Sequence, residues 1–338
     1  MAKLSKKEIL LCTFSGGGLI AAIVFFWQAL NSPMNIAQTG EWLDVKNKKS
    51  LSQLAIELND RGAFKFPYLL AMYGRLSDQA TRIQAGEYLV QPETTPKTLL
   101  MNLVDGNVYL HQITFIEGWR YSELIAALRD HDAIDASGFE SEIIMETLGL
   151  PDLHPEGQFF PDTYRFPRGI TAISLLRQAH IALTDRLNIA WSNYPPGNVL
   201  ETPYEALILA SIIEKETRVP EERSRISGVF HRRLERDMRL QTDPTVIYGL
   251  GSDYDGTLDR EALAEDNPYN TYRRRGLPPS PIALVGQASL TAAVNPDAGL
   301  EIYFVATGRD DGSHYFSTTL EEHNSAVARY LIQRESIN

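Results

Sequence analysis

Residues 202–218 read TPYEALILASIIEKETR, and this stretch decides how the last third of the chain folds. Thr202 is a capping residue, Pro203 suits the first helical position, where its missing N–H is no loss, and Glu205 stands three residues after the cap. From Ala206 to Ile213 every residue but Ser211 is apolar, so the predicted helix has no polar face to give to water and belongs inside a core. It then ends in charge, at Glu214, Lys215, Glu216 and Arg218. Burial at such a helix end disfavours the ionised form of a carboxylate and prepares it to give a proton near neutral pH. The competing reading is a solvated helix end. Residues two apart on a helix point about 200° away from one another. Glu214 and Glu216 therefore do not flank one bond together, and spacing does not say which of them acts.

Downstream, Pro220 to Arg236 predicts a second helix, apolar at Ile226, Val229, Phe230 and Leu234 and basic at Arg223, Arg225, Arg232, Arg233 and Arg236. In RLQTDPTVIYG, residues 239–249, Asp243 before Pro244 is expected to cap a short helix. Gln241, Thr242, Asp243 and Tyr248 supply the donors, acceptors and ring face suited to a sugar-binding cleft. Tyr269-Asn270-Thr271-Tyr272 and the proline-rich run Gly276 to Ile282 follow as rigid loops. Ile302 to Val305 and His314 to Ser317 read as paired strands around a turn at Gly308 to Gly312, and Glu321 opens a final helix. The histidines are scattered without metal-site spacing, and there is neither a phosphate-binding glycine loop nor a nucleophile elbow. No metal and no cofactor is expected. His314 reads as a structural strand residue.

Upstream, a strand at Glu41 to Val45 precedes a helix from Ser52 to Asn59. Gln112 to Ile116 reads as a strand, after which Ser122, Leu124, Leu128, Asp130 and Ala133 repeat the order of Ser52, Leu54, Leu58, Asp60 and Ala63. Two copies are too few for a solenoid and suggest small packed α+β units. Ala85 to Val90 reads as a strand, and Thr95 caps a helix that begins at Pro96 and runs to Val104. Pro155 to Phe166 is dense in aromatics and proline, which marks an ordered loop.

A chain of 338 residues suits two or three domains. Its 43 acidic against 32 basic side chains leave a net charge of -11, which repels a phosphate backbone and argues against nucleic acid as a partner. The one cysteine, Cys12, excludes intramolecular disulfides. Ile9 to Leu30 carries no charge and is long enough to cross a bilayer as a helix. Lys3, Lys6 and Lys7 before it keep the N-terminus cytoplasmic, so the body from Asn31 on is expected outside the inner membrane as a single-pass, anchored protein. A cleaved signal peptide is the alternative, but it calls for a shorter apolar region.

EGQFFPDTYRF, LASIIEKET, RLQTDPTVIYG, YNTY with GLPP, and the terminal YFVATG, HYFSTT and EEHN segments together resemble the endolytic murein transglycosylases, the YceG-like family. The resemblance covers almost the whole chain beyond the apolar run. It implies an α+β protein with an N-terminal membrane anchor, a LysM-like module and a C-terminal mixed α+β catalytic domain. The scheme becomes a tail at 1–8, a membrane helix at 9–30, a linker at 31–40, a LysM-like module at 41–110, a second module at 111–198 and the catalytic domain at 199–338. The resemblance also implies cleavage of the β-1,4 bond between N-acetylmuramic acid and N-acetylglucosamine in peptidoglycan glycan strands. Glu214, the first glutamate of EKET, is then the acid/base catalyst, with Gln241, Asp243, Tyr248, Tyr269 and Asn270 around the sugar. Glycan-polymerising synthases are the expected partners. A hydrolysing muramidase would need a second carboxylate, with Glu216 and Asp243 the nearest candidates, and a cell-wall-binding scaffold would need none. Where the family often has Gly-Pro-Ile and then Asn-Pro-Gly after GLPP, this chain has Ser280-Pro281-Ile282 and Leu284-Val285-Gly286.

Overall fold

In the computed structural model, which describes residues 6–337 without the side chains of 6–16, 142 and 334–337, the chain is mixed α+β. It divides into one unit that runs to His111 and includes Arg165–Gly169, and a second made of Gln112–Tyr164 and the chain from Ile170 on.

The first unit contains α1 (Lys6–Asn31), β1 (Glu41–Val45), α2 (Leu51–Asp60), α3 (Pro67–Leu76), β2 (Gly86–Val90) and α4 (Pro96–Asp105). β1 and β2 pair antiparallel from Glu41↔Val90 to Val45↔Gly86. Strand alternation turns Leu43, Val45, Tyr88 and Val90 inward. They meet Leu51, Leu54 and Leu58 of α2 and Leu99, Leu100 and Leu103 of α4. Ser50 and Thr95 cap α2 and α4 by reciprocal bonds with Gln53 and Thr98. Leu30, at the end of α1, is buried in the same core, whereas Leu19, Ile20, Ile23, Val24 and Trp27 are exposed. Of the membrane span expected at Ile9 to Leu30, the side chains of 9–16 lie outside the described residues. Among the described residues no helix is long and apolar enough to cross a membrane.

The second unit takes in most of β3 (Leu110–Thr114), which starts two residues before the strand expected at Gln112, then α5 (Tyr121–Asp130), β4 (Ile134–Asp135) and α6 (Ile144–Leu148). The chain leaves and re-enters it through β5 (Thr163–Pro167), and β6 (Ile170–Thr171) then pairs parallel with β4. Next come α7 (Ala172–Ser192), α8 (Pro203–Glu216), α9 (Arg223–Glu235), α10 (Asp243–Leu250), α11 (Arg260–Ala264) and α12 (Gln287–Val294). β7 (Tyr303–Ala306), β8 (His314–Ser317) and α13 (Leu320–Ile337) complete it. β7 and β8 pair antiparallel in the predicted register region, Tyr303↔Ser317 to Ala306↔His314.

α8 is the central rod, buried at every position from Ala206 to Ile213. The Thr202 hydroxyl accepts from the Glu205 N–H, and Pro203 takes the first position, as the sequence predicts. α7, α9, α10 and α12 surround it. The helix predicted from Pro220 opens as a single 3₁₀ turn, Pro220–Glu222, before α9 begins. α10 corrects another expectation. Asp243 is its first residue rather than its cap, and Thr242 occupies the cap position. The Thr242 hydroxyl does not cap, because it donates to Glu216 Oε2 at 2.8 Å.

Ser280 to Gly286 is buried yet forms no strand, so each of its backbone polar groups needs a specific partner. Ile282 N–H donates to Ser211 Oγ at 3.0 Å, and Ser211 Oγ donates to the Ile208 carbonyl at 2.7 Å. The single polar residue of the buried helix is thus the peg that holds this loop. Replacing Ser211 with alanine leaves the Ile282 N–H buried without a partner, at a cost of about 1–3 kcal/mol. Denaturant unfolding of Ser211→Ala is expected to show that loss, and Ser211→Thr, which keeps the hydroxyl, a smaller one.

Candidate active site

At the end of α8 two glutamates leave the helix into different surroundings. Glu214 has a side chain only 7% exposed. Its Oε2 accepts from the Gly286 N–H at 3.1 Å, and the Arg223 guanidinium of α9 stands 4.0 Å from its Oε1. Glu117, just after β3, reaches the same place. A Cβ added to Gly286 would fall inside the Glu117 carboxylate. Burial and the neighbouring Glu214 charge raise the Glu117 carboxyl above its ordinary value, against the pull of Arg223. Residues 117–119 are pinned to the buried loop by Gly118 N–H to the Leu284 carbonyl at 2.8 Å and Leu284 N–H to the Trp119 carbonyl at 2.7 Å. Lys215 Nζ adds a bond to the Gly118 carbonyl at 3.1 Å.

Glu216 points the other way, into a cavity of about 540 Å³ lined among others by Arg233, Gln241, Asp243, Tyr272, Tyr303 and His323. Burial pushes its carboxyl up to about 7, helped by the Asp243 charge and opposed by the Thr242 hydrogen bond and Arg233. The Tyr272 hydroxyl donates to Asp243 Oδ1 at 2.5 Å. Gln241 holds a left-handed backbone, φ 52°, a conformation that costs a non-glycine residue about 1 kcal/mol or more and that gathers at functional sites. The Arg233 guanidinium is held in place through Nε and one terminal nitrogen, which donate to the carbonyls of Ile302, Arg239 and Leu240. His314, read as structural, is bound through Nδ1 to Glu222 at 2.7 Å.

A third cluster joins Tyr248, Tyr269 and Glu156. The two tyrosine rings meet edge to face at 4.8 Å, and the Tyr269 hydroxyl is 2.7 Å from Ser280 Oγ. Arg120 lies over the Tyr248 ring at 5.4 Å. Glu156, from the EGQFF loop, is 4% exposed; it accepts the Tyr121 N–H at 2.8 Å, and the nearby Tyr248 hydroxyl favours its ionised form. Burial pushes its carboxyl up to about 7.

The residues expected around one sugar are therefore distributed. Gln241 and Asp243 come together with Glu216, Tyr248 and Tyr269 pair beside Glu156, and Asn270 is fully buried. The Asn270 amide donates to the carbonyls of Ala262, Leu263 and Glu265, which fixes the loop that carries Tyr269 and Tyr272. Among the described residues none of these five hydrogen-bonds Glu214, and no cluster of three or more metal-ligating side chains is present. Sequence reasoning missed Glu117, Gly286 and the chemical role of burial at Glu156. Glu117 lies 97 positions before Glu214, so no spacing rule links them.

A model of the YceG-like family matches residues 43–329. An endolytic murein transglycosylase of Bacillus subtilis (strain 168) is 31% identical over 308 residues, covering 86% of this chain and 84% of its own. One from Streptococcus pneumoniae (strain ATCC BAA-255 / R6) is 26% identical over 83% of this chain, which spans 57% of that longer relative. The crystal structure of a yceG-like protein from Listeria monocytogenes superposes with a TM-score of 0.52 at 26% identity, over 85% of this chain and 99% of that one.

The buried Glu156 makes a pH prediction. Its carboxyl keeps a proton up to about 7, whereas an unfolded glutamate loses it near 4.5. Between these values the unfolded chain binds fewer protons, so stability falls as pH rises, by up to about 3 kcal/mol. Thermal melts are expected to be lower at pH 8 than at pH 5, and Glu156→Gln, which keeps the neutral hydrogen-bonding shape, is expected to shrink that difference.

Proposed function

The chain belongs to the YceG-like family, and from that premise we propose that it is an endolytic murein transglycosylase with Glu214 as its acid/base catalyst. The observation that carries the assignment is the placement of Glu214. It ends a helix buried on every face, with one carboxylate oxygen anchored by the Gly286 N–H and the other facing Arg223. A catalyst that must both give and take a proton needs such a fixed, poorly solvated position.

Protonated, Glu214 gives its proton to the glycosidic oxygen as the C1–O4 bond breaks. The carboxylate then takes the proton of the muramoyl C6 hydroxyl as O6 closes on C1. No water enters, and a 1,6-anhydro end results. Because the nucleophile belongs to the substrate, one glutamate suffices where a hydrolase needs two carboxylates.

We read residues 41–110 as a LysM-like module that holds the glycan strand, 111–198 as a second module and 199–338 as the catalytic domain. Gln241, Asp243, Tyr248, Tyr269 and Asn270 line or support the sugar path. The uncharged run from Ile9 to Leu30 after Lys3, Lys6 and Lys7 supports an uncleaved single-pass anchor, with the N-terminus cytoplasmic and the catalytic body periplasmic. We read its role there as trimming of nascent strands, with peptidoglycan synthases as its partners.

A second reading has its own observation. Glu216 faces the cavity that holds Gln241 and Asp243, and its carboxyl is pushed up to about 7, which suits an acid catalyst. Mass spectrometry of muropeptides released by the full-length protein separates the two. Anhydro-muramoyl ends are expected from wild type. Glu214→Gln should lower their rate of release by about 10²-fold or more, and Glu216→Gln by less than about tenfold. The reverse pattern would transfer the role to Glu216, and reducing ends would make the protein a hydrolase.

A further inference from the structure

α3 is apolar on a side that the core does not use. Leu70 and Gly74 turn inward, and a Cβ at position 74 would strike the Leu51 side chain of α2. Tyr68, Met72 and Leu76, spaced about one helical turn apart, form a stripe on the opposite side and are exposed, Tyr68 at 81% and Leu76 at 77%. With Ile56 of α2 they border a groove of about 520 Å³. A helix with apolar residues on opposite faces belongs in a core or at a membrane, and an exposed apolar patch of this kind marks an interaction surface. From Gly62 to Ser77 the only charged residues are Lys65 and Arg75, both exposed, although the chain as a whole carries a net charge of -11. The packing of α1 fixes which way the stripe faces. Leu30 is buried in the core of the first unit, Phe25 meets Phe66 at 5.1 Å and Phe26 meets Tyr73 at 6.5 Å, whereas Leu19, Ile20, Ile23 and Val24 leave that core exposed. Phe66 and Tyr73 are seven positions apart, about 10 Å along a helix, yet they meet adjacent residues of α1, so α3 crosses α1 rather than running beside it. Around α3, Phe66 and Tyr73 face α1, Leu70 and Gly74 face the core, and the stripe faces the side toward which α1 leaves.

We propose that α3 is an interfacial helix that rests on the membrane surface beside the anchor, with Tyr68, Met72 and Leu76 in the boundary between headgroups and acyl chains and Lys65 and Arg75 on anionic headgroups. The proposal rests on the reading of Ile9 to Leu30 as a membrane anchor. A hydrocarbon layer of about 30 Å takes about 20 helical residues, which counted from Ile9 end near Gln28. Phe25 and Phe26 lie within one turn of that end, so the crossing with α3 falls at the level of the membrane surface. Tyrosine rings favour this layer, methionine and leucine reach below it, and the long stems of lysine and arginine let their charges reach the phosphates. An anionic lipid surface also attracts a segment with two cations and no acid. Because the last turn of α1 is part of the core, the first unit is held against the bilayer in one orientation and does not swing on a flexible tether.

The test uses the full-length protein carrying Cys12→Ala, which removes the one native thiol, in nanodiscs of phosphatidylglycerol and phosphatidylethanolamine. A nitroxide is attached through Met72→Cys, through Leu76→Cys or, as the reporter of the anchor, through Ile23→Cys. Positions 72 and 76 are exposed, so labelling them leaves the core intact, and thermal melts establish that each variant is folded. Oxygen, which concentrates in lipid, and a nickel chelate, which stays in water, serve as collision partners. Labels at 72 and 76 are expected to lose collisions with the chelate and gain them with oxygen, as the label at 23 does. Lys65→Glu combined with Arg75→Glu is expected to restore chelate collisions at 72 and 76 and to leave position 23 unchanged. Free chelate collisions at 72 and 76 in the unreversed protein, with position 23 in lipid, overturn the proposal. Protection from both reagents at 72 and 76 overturns it as well, because a protein partner or a second copy would then cover the stripe. A label at 23 open to the chelate would instead overturn the anchor on which the proposal rests, so the two failures are distinguishable.

Discussion

A helix that is buried on all its faces dictates what surrounds it. From Ala206 to Ile213, α8 offers only apolar side chains and the hydroxyl of Ser211, so α7, α9, α10 and α12 must cover it and the Ser280 to Gly286 loop must close the remaining gap. That loop is buried without a ladder partner. Its backbone is satisfied by Ser211, by the segment around Trp119 and by Glu214 itself. The same bonds that solve a folding problem therefore fix the Glu214 carboxylate.

The end of α8 gives one peptide segment two chemical environments. Glu214 lies among Gly286, Glu117 and Arg223, while Glu216, two residues on, shares a cavity with Asp243 and Tyr272. Helical geometry separates them. Burial raises the proton affinity of Glu216 without making it the proposed catalyst, so desolvation alone does not identify one. What sets Glu214 apart from Glu216 in the structure is its anchoring by the Gly286 N–H, with Arg223 beside its other oxygen.

Local chemistry made much of the fold legible. Thr95-Pro96 and Thr202-Pro203 mark helix starts because capping and a fixed proline φ act within one turn, and the alternation in Glu41–Val45 reads directly as a half-buried strand. α3 was not legible. Its Tyr68, Met72 and Leu76 are large apolar residues left exposed, so the apolar pattern does not report its buried side. Asp243, expected as the cap of α10, misled for a different reason: it takes the first helical position, and the cap falls to Thr242, whose hydroxyl a tertiary bond to Glu216 captures. Within the site, Glu214 was narrowed to one of two glutamates by periodicity and singled out by resemblance. Glu117 and Gly286 became visible only once the fold brought positions 117, 214 and 286 together.

The central claim is that the scissile bond is cut at Glu214. A crystal structure of the full-length Glu214→Gln protein with a bound glycan strand tests it directly. The account predicts the glycosidic oxygen within hydrogen-bond reach, about 2.6–3.2 Å, of the side chain at position 214, with the muramoyl C6 hydroxyl near the same group. A strand seated with that oxygen against Glu216 inside the cavity of Asp243 and Tyr272 would contradict it.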